Sequence, residues 1–497
     1  MKIQALATLA AMALASSAQA AAANSTSGLQ STSCISSSET SDQYPTKAEV
    51  KYATLFTIEY KNTYKVLSDL SSNNTYVLYQ CGSKKPAVAD AQVFVQIPVS
   101  KTASWSTSVN VFIQALGMQN TLQNLGTASS VASPCLQALL ENVIHPFNDS
   151  NETAADAQEL TNDVVFNMVD GEDDNTNNTV FSSEYSDSSV LGRAEWLKFF
   201  AAFFNAEERA NDLFDQIEAN YACLASKAAA EYNDIRPVVA WTSYAAPTEY
   251  NNNTAYWQIS YADYKYDIVR DAGARMLNTT GPQATIFSSA QAFLDALEDV
   301  DIVVDESFVA YSYSDLLKNY GVSDTSADSK YPWIAAGRVF RPDRIQSTAG
   351  GSSWFETPYV FADALLQDLI GVAHPGFVDT GFQPIWFRNL AANGSVSIVT
   401  AANCTDMYAQ LADPAQKCSS LDFQSANPSN SAYLDVNENQ TQDLIYDISK
   451  SDVINGDDGD SAASKSSGAS RLLVSLNGLS AIALLVLAAA ATVRFSS

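Results

Sequence analysis

From Val50 onward, apolar and polar positions alternate. Tyr52 to Tyr60 (YATLFTIEY) has the two-residue period and β-forming composition of a half-covered strand. Tyr76 to Tyr79 is a short apolar run that meets a turn at Gln80, Cys81 and Gly82, and Val93 to Ile97 is another, stopped by Pro98. Val109 to Leu116, before Gly117, has the spacing of a helix, and Asp163 to Phe166 that of a strand. Strands alternating with helical stretches predict a parallel α/β sheet. Gly171 to Thr179 reads as an acidic, Asn-rich loop.

Ser189 to Lys227 is the clearest helical region. Trp196, Phe199, Phe200 and Phe203 recur at helical spacing inside an almost wholly apolar segment, Ala194 to Phe204. Asn205, with Glu208 three residues on, reads as the N-cap of a second helix carrying Leu213, Phe214, Ile217, Tyr221 and Leu224 on one face. The second half repeats the pattern. Pro237 to Trp241 predicts a buried strand, and Tyr264 to Ala274 a helix ending near Gly273. Phe287 to Leu297 predicts a helix, Asp301 to Val304 a strand, Trp333 to Phe340 a strand with its turn, and Pro358 to Val372 a helix closing at His374 and Pro375. The order predicts an α/β protein with two Rossmann-like lobes, each on a parallel sheet, joined by a long backbone helix.

The two ends are of another kind. Lys2, an apolar stretch from Ala5 to Leu14 and the small-x-small site Ala18-Gln19-Ala20 read as a secretory signal, residues 1–20. Leu472 to Val493 is an apolar run near the C-terminus, preceded by small residues at Ser461 to Ala463 and a polar spacer from Ser464 to Arg471. That layout is favoured as a glycolipid-anchor signal with Ser461 as the attachment site. A plain membrane span is the alternative, since the run is long enough to cross a bilayer, although only Arg494 stands on the far side of it. The expected divisions are 21–49 (a Ser/Thr-rich, unstructured arm), 50–187 (first lobe), 188–228 (connecting helices), 229–392 (second lobe), 393–450 (a Cys-bearing extension), 451–471 (a polar stalk) and 472–493 (the anchor signal).

Composition narrows the function. The 497 residues hold 27 Lys and Arg against 55 Asp and Glu, a net charge of −28, which opposes nucleic acid and anionic lipid. The six cysteines suit disulfides in an oxidising compartment, with Cys404–Cys418 and Cys81–Cys135 the expected pairs. Glycosylation sequons stand at Asn24, Asn73, Asn148, Asn151, Asn177, Asn252, Asn278, Asn393, Asn403 and Asn439. The only histidines, His145 and His374, are too few for a zinc or manganese receptor, and Asp170 to Asp174 lacks the spacing of a calcium loop, so no metal site and no cofactor are expected. There is no GxSxG and no HExxH. An enzyme is not expected; a carboxylate-pair hydrolase is the reading that acidic residues alone leave open.

Several segments in order resemble the helical-backbone class of periplasmic solute-binding proteins, the receptors of ABC importers for cobalamin, siderophores and haem. Leu191 to Phe200 (LGRAEWLKFF) is similar to the family's inter-lobe helix, and Arg236 to Trp241 to the strand that opens its second lobe. Val269 to Ala274 is similar to a helix end written with Ala-Gly-Gly, with Ala274 in the third place. Asp301 to Glu306 is similar to the family's Pro-Asp-Val-Ile-Ile strand without the proline, and Ser353 to Glu356, Pro358, Leu365, Leu366 and His374-Pro375 to the last strand-to-helix segment. The resemblance covers about Val50 to Pro375. It implies a small-molecule ligand, such as an iron–siderophore or similar metal chelate, held between the lobes. The sequons and the anchor signal depart from that bacterial pattern and point to a eukaryotic surface form, with a transporter or endocytic partner downstream. The alternative is an adhesion or cell-wall interaction protein on the same scaffold, without uptake.

Ligands of open α/β sheets bind on loops after the strands. The candidates there are Cys81 to Lys84, Trp105 and Ser106 in the first lobe, and Trp241, Tyr244, Trp257, Asp305, Glu306, Trp354, Phe355 and Glu356 in the second. Trp and Tyr stack on flat ligands while offering one polar atom; the competing reading places them in the core. Trp105 and Trp354, with Ser and Gly neighbours, fit loops best. Arg341, flanked by Arg338 and Arg344, suits an anionic ligand group, although structural ion pairing is the commoner role in so acidic a chain. The resemblance also implies that Glu184 and Glu356 could be surface carboxylates that dock an importer; a merely solvated face is the commoner role.

Overall fold

The computed structural model describes residues 27–126, 128–148, 152–168, 177–277, 286–308, 312–323, 329–378 and 382–425. The signal segment, the polar stalk, Ser461, the apolar C-terminal run, and Asn24, Asn151, Asn278 and Asn439 lie outside them. Among the described residues no helix is long and apolar enough to cross a membrane.

Strands β1 (Phe56–Tyr60), β2 (Tyr64–Asp69), β3 (Asn74–Gln80) and β4 (Val93–Ile97) form one sheet, antiparallel from β1 to β3 and parallel between β3 and β4. The expected parallel sheet does not begin here. The two turns between β1 and β3 are too short for a crossover, so consecutive strands must reverse. The parallel sheet of the first lobe comes next. It holds β5 (Thr102–Ser104), β6 (Leu122–Leu125), β7 (His145–Pro146), β8 (Val164–Asn167) and β9 (Thr179–Phe181), in the order β7-β6-β5-β8-β9.

The second lobe holds β10 (Val238–Ala245), β11 (Tyr256–Ile259), β12 (Arg275–Met276), β13 (Ile286–Phe287), β14 (Ile302–Asp305), β15 (Val339–Arg341), β16 (Ile345–Ser347), β17 (Arg388–Asn389) and β18 (Ser397–Val399). Its core, β12 beside β10 and then β14 and β15, is parallel, whereas β11, β13 and β17 add antiparallel edges. β16 and β18 pair separately, in parallel. The chain is thus α/β with a parallel sheet in each lobe, as expected.

The Val190–Phe204 helix joins the lobes. Ser189 caps its start by accepting from the Gly192 amide at 2.9 Å. Every residue of it except Arg193 is buried, so its apolar surface is needed on all sides rather than along one stripe. Phe56 of β1 lies 4.7 Å from Trp196, Phe112 4.9 Å from Phe200, and Phe166 of β8 5.0 Å from Phe203. Asn205 is not the N-cap of the next helix. It ends the first one in the left-handed conformation, φ 55°, a role Asn tolerates. Its side chain is occupied elsewhere, donating to Ser31 O and Gln80 Oε1 and accepting from Lys65. The Glu207–Glu231 helix therefore starts without a side-chain cap.

Three other expectations change. The Phe287 helix begins only at Ala290, because Phe287 pairs with Trp257 in the sheet. Trp333 sits in a helical turn, Pro332–Ala335, and the strand begins at Val339; Pro at the first helical position favours that turn. The Ala362–Ala373 helix starts four residues late, after a 3-10 turn at Thr357–Tyr359.

The described part of the N-terminal arm, residues 27–49, has no helix or strand but is fixed. Tyr44 is fully buried, and Gln30 donates to Thr46 O and to Glu207. The disulfides differ from expectation: Cys34–Cys81, Cys135–Cys404 and Cys223–Cys418. Cys404 and Cys418 are close in sequence, but the chain between them runs across the molecule and meets a different partner at each end, and Cys81 is taken by the arm. Asn73, Asn148, Asn177, Asn252, Asn393 and Asn403 are all exposed.

Because Phe200 touches both Phe112 and Phe166 inside the first lobe, Phe200→Ala leaves a cavity with nothing free to fill it. A loss of about 3–5 kcal/mol in urea unfolding is expected, against under 1 kcal/mol for Phe355→Ala, whose ring is 39% exposed.

Candidate functional site

The lobes meet where two segments touch. In the first lobe this is 128–133, just before the Pro134–Asn142 helix; in the second it is 351–356. The Ala132 amide donates to Glu356 Oε1 at 2.8 Å. A Cβ on Gly351 would stand 2.1 Å from Ser130 O, so only glycine permits this approach. Behind the contact, Trp354 faces Trp241 at 5.9 Å and 23°, and Phe387 lies 5.5 Å from Trp354 and 6.0 Å from Trp241.

Beside this aromatic group is a polar one. Lys265 stands 4.8 Å over the Trp241 ring and forms a buried ion pair with Glu306, the residue after β14. Arg193, in the first turn of the connecting helix, lies 3.5 Å over the Tyr264 ring and 5.8 Å from that of Tyr359. Its Nε and Nη2 donate to the carbonyls of Asp187 and Tyr185, at 2.9 and 2.5 Å. No carboxylate among the described residues pairs with it. Tyr359 lies within electrostatic reach of Arg193, Tyr264, Glu184 and Glu306, which places these groups in one neighbourhood; burial is the main reason its phenol is pushed well up.

Two carboxyls there are buried rather than solvated, contrary to expectation. Glu184 is inaccessible and accepts from Ser108 at 2.7 Å, and Ser108 in turn bonds Ser106 at 2.7 Å. Burial pushes Glu184 up to about 7. Glu356 is pushed up to about 8 by burial, offset in part by the Ala132 and Ser133 amides. In both, burial favours the protonated form.

The expected ligand residues scatter. Trp241, Trp354 and Glu356 come together at the lobe junction, and Ser106 joins them through Ser108 and Glu184. Phe355 is at the rim; its carbonyl accepts a long bond from Thr107. Trp105 does not join them. It stacks on Phe147 at 4.2 Å and donates to Glu159 at 2.6 Å. It shares the parity of Ala103 in β5, so it falls on the sheet face turned away from the connecting helix. Tyr244 and Trp257 pair with each other at 5.5 Å across β10 and β11, and Trp257 donates to Asn319 O. Arg341 is consumed by a buried pair with Asp305 and by Asp343 and Ser307 O. Arg338 holds the last carbonyls of the Ala362–Ala373 helix and Arg344 holds Pro384 O, so the arginine cluster is structural. Cys81 lies under the arm.

Sequence reasoning missed Arg193, Tyr264, Lys265 and Tyr359. One signal was available for Arg193: a cation in the first turn of a largely apolar helix, where the macrodipole disfavours it. Two surface depressions, of about 450 and 360 Å³, lie around Glu39, Thr40 and Tyr60 and around Lys101, Asn124 and His145, and neither touches the lobe junction.

No family model matches the chain. It is similar to an uncharacterized lipoprotein of Methanocaldococcus jannaschii, 24% identical over 202 residues, which is 39% of this chain and 42% of the relative; the chain thus matches less than half the length of that protein. Solved structures similar to it include periplasmic binding proteins and an ABC-transporter substrate-binding protein. A periplasmic heme-binding protein from Pseudomonas aeruginosa is 17% identical, covering 61% of this chain and 99% of its own, with a TM-score of 0.40. A periplasmic binding protein from Veillonella parvula is 12% identical over 64% and 97%, at 0.41. A siderophore-binding protein from Vibrio cholerae bound to Fe3+–Desferal is 16% identical over 55% and 99%, at 0.37.

A carboxyl raised by folding stabilises the folded chain below its ordinary value and loses that contribution as pH climbs through its folded value. For Glu356 the window runs from 4.5 to about 8. Glu356→Gln keeps the acceptor for Ala132 and removes the titration. Each tenfold change in proton affinity is worth about 1.4 kcal/mol. The variant is therefore expected to be a few kcal/mol more stable than wild type at pH 8.5 and nearly equal to it at pH 4.5, read as urea midpoints.

Proposed function

We propose that this chain is a surface-anchored solute-binding protein that takes a small ligand between its lobes, an iron–siderophore or similar metal chelate presenting an anionic oxygen. The observation that carries the reading is Arg193. Its guanidinium is held by two backbone carbonyls and faced by Tyr264, with Tyr359 nearby. Among the described residues it has no counter-ion, at the place where both lobes and the connecting helix converge. A half-buried guanidinium of this kind favours a carboxylate, catecholate or hydroxamate oxygen. Trp241, Trp354 and Phe387 supply an apolar wall for the rest of the ligand. Raised carboxyls at such a place are a further mark of a working site. Capture would feed a transporter or endocytic partner.

A second reading, an adhesion or cell-wall interaction protein without uptake, draws on the Ala132–Glu356 contact and the Gly351 approach, which shut the junction in this state.

The test is a thermal-shift screen of residues 21–460 against ferric siderophores, haem, cobalamin and free metal ions. A bound chelate raises the melting temperature, since ligand stabilises by RT ln(1 + [L]/Kd). Arg193→Gln is expected to weaken an anionic chelate by roughly tenfold or more and a neutral one little. No shift across the panel favours the second reading. For the anchor, a phosphatidylinositol-specific phospholipase is expected to release the full chain from cells; retention would instead mean that residues 472–493 span the bilayer.

A further inference from the structure

We propose that residues 397–424 are a covalent clasp that holds the two lobes shut at their junction. The segment leaves the second lobe as β18, paired with β16. It then crosses to the first lobe, where Cys404 bonds Cys135. There it also lies along the Thr107–Ala115 helix and the turn after it: Leu411 donates to Gln114 O at 3.0 Å, Gln410 to Ala115 O at 2.7 Å, and Gln119 to Ala409 O at 2.8 Å. Finally it turns to the connecting helices, where Cys418 bonds Cys223 and donates its amide to Asn220 at 2.7 Å. Gln416 meets Gln367 of the second-lobe helix at 2.9 Å on the way.

The position of the first bond matters more than its presence. Cys135 is in the first turn of the Pro134–Asn142 helix, and Ala132, three residues earlier, donates to Glu356 of the other lobe. The tether from β18 to Cys135 therefore acts on the same short piece of chain that closes the junction. Only four residues separate Val399 from Cys404, and an extended chain of that length spans no more than about 18 Å. Separation of the lobes at Ala132 and Glu356 must stretch or release this link. The connecting helix limits hinge motion on one side, and the clasp limits it on the other. This inference needs no ligand and stands or falls apart from the binding proposal.

Hydrogen exchange on the secreted ectodomain tests it. In Cys135→Ser/Cys404→Ser, amides of 130–133 and 353–356 are expected to exchange at least roughly tenfold faster, with those of Val190–Phe204 unchanged. A second form avoids any failure to fold: a protease site inserted after the exposed Ala402, cut once the protein is purified, severs the link to β18 while both disulfides stay intact. The cut form is expected to show the same local acceleration. Unchanged exchange at the junction in the cut form overturns the proposal, as does acceleration spread evenly through the helix, which would make the segment a general staple.

Discussion

Among the described residues, the larger hydrophobic core is arranged around one helix that is buried on nearly every side. Val190–Phe204 carries four phenylalanines and a tryptophan with no solvent face, and burying such side chains is worth about 1.5–3 kcal/mol each. No single sheet can cover such a cylinder. The first lobe takes the Phe200 and Phe203 side, the β1–β4 sheet the Trp196 and Phe199 side, and second-lobe helices the remainder. The polar groups on it are tied at fixed points. Glu195 accepts from the amides of Lys51, Tyr52 and Ala53, at 2.6–3.0 Å, and from Lys198. Lys65 and Glu207 form a fully buried pair at the helix end, with Asn205 and Gln30 completing it. Buried charges are tolerated only when satisfied in this way, and each of these pairs stitches the arm or the first sheet to the helix.

Arg193 is the exception that the rest of the helix makes visible. Its neighbours find carboxylates or backbone amides, whereas it has two carbonyls and an aromatic face. The same junction holds Glu184 and Glu356 with their protons raised into the neutral range. A core built for stability alone would replace these groups with hydrocarbon of the same volume. Their position at the convergence of three elements sets them apart from Arg341, whose guanidinium is paired with Asp305 and Asp343.

Much of the fold was legible in the chain because period and length agreed: Val93–Ile97, the Glu207–Glu231 helix and Ile302–Asp305 stand where alternation or helical spacing puts them. What was not legible depended on contacts far apart in sequence. Asn205 has the local signature of an N-cap, but Lys65, Gln80 and Ser31 claim its side chain. Trp105 sits among serines as a loop residue would, yet β-strand parity carries it to the far face with Phe147. Cysteine pairing failed for the same reason, since two of the bonds join residues 269 and 195 positions apart. For the site, Trp241, Trp354 and Glu356 were named from their loops. Tyr264, Lys265 and Tyr359 were not, because a tyrosine or lysine on an amphipathic helix, or in the 3-10 turn before one, looks the same whether it faces solvent or the other lobe.

A rigid frame and a shut junction set opposing terms for binding. Rigidity lowers the ordering that a ligand must impose, which strengthens affinity. A state that opens rarely weakens the apparent affinity by the fraction of time it is competent. With the connecting helix and the 397–424 segment limiting lobe separation, the balance falls to the 347–356 segment. There Gly350 adopts φ +89° with open space around it, while its neighbour Gly351 presses on Ser130. Movement of that short segment would expose Trp354 and Glu356 together. Glu356 would then gain water and lose the burial that holds its proton, so opening and deprotonation are linked: higher pH favours the open segment, and lower pH the closed one.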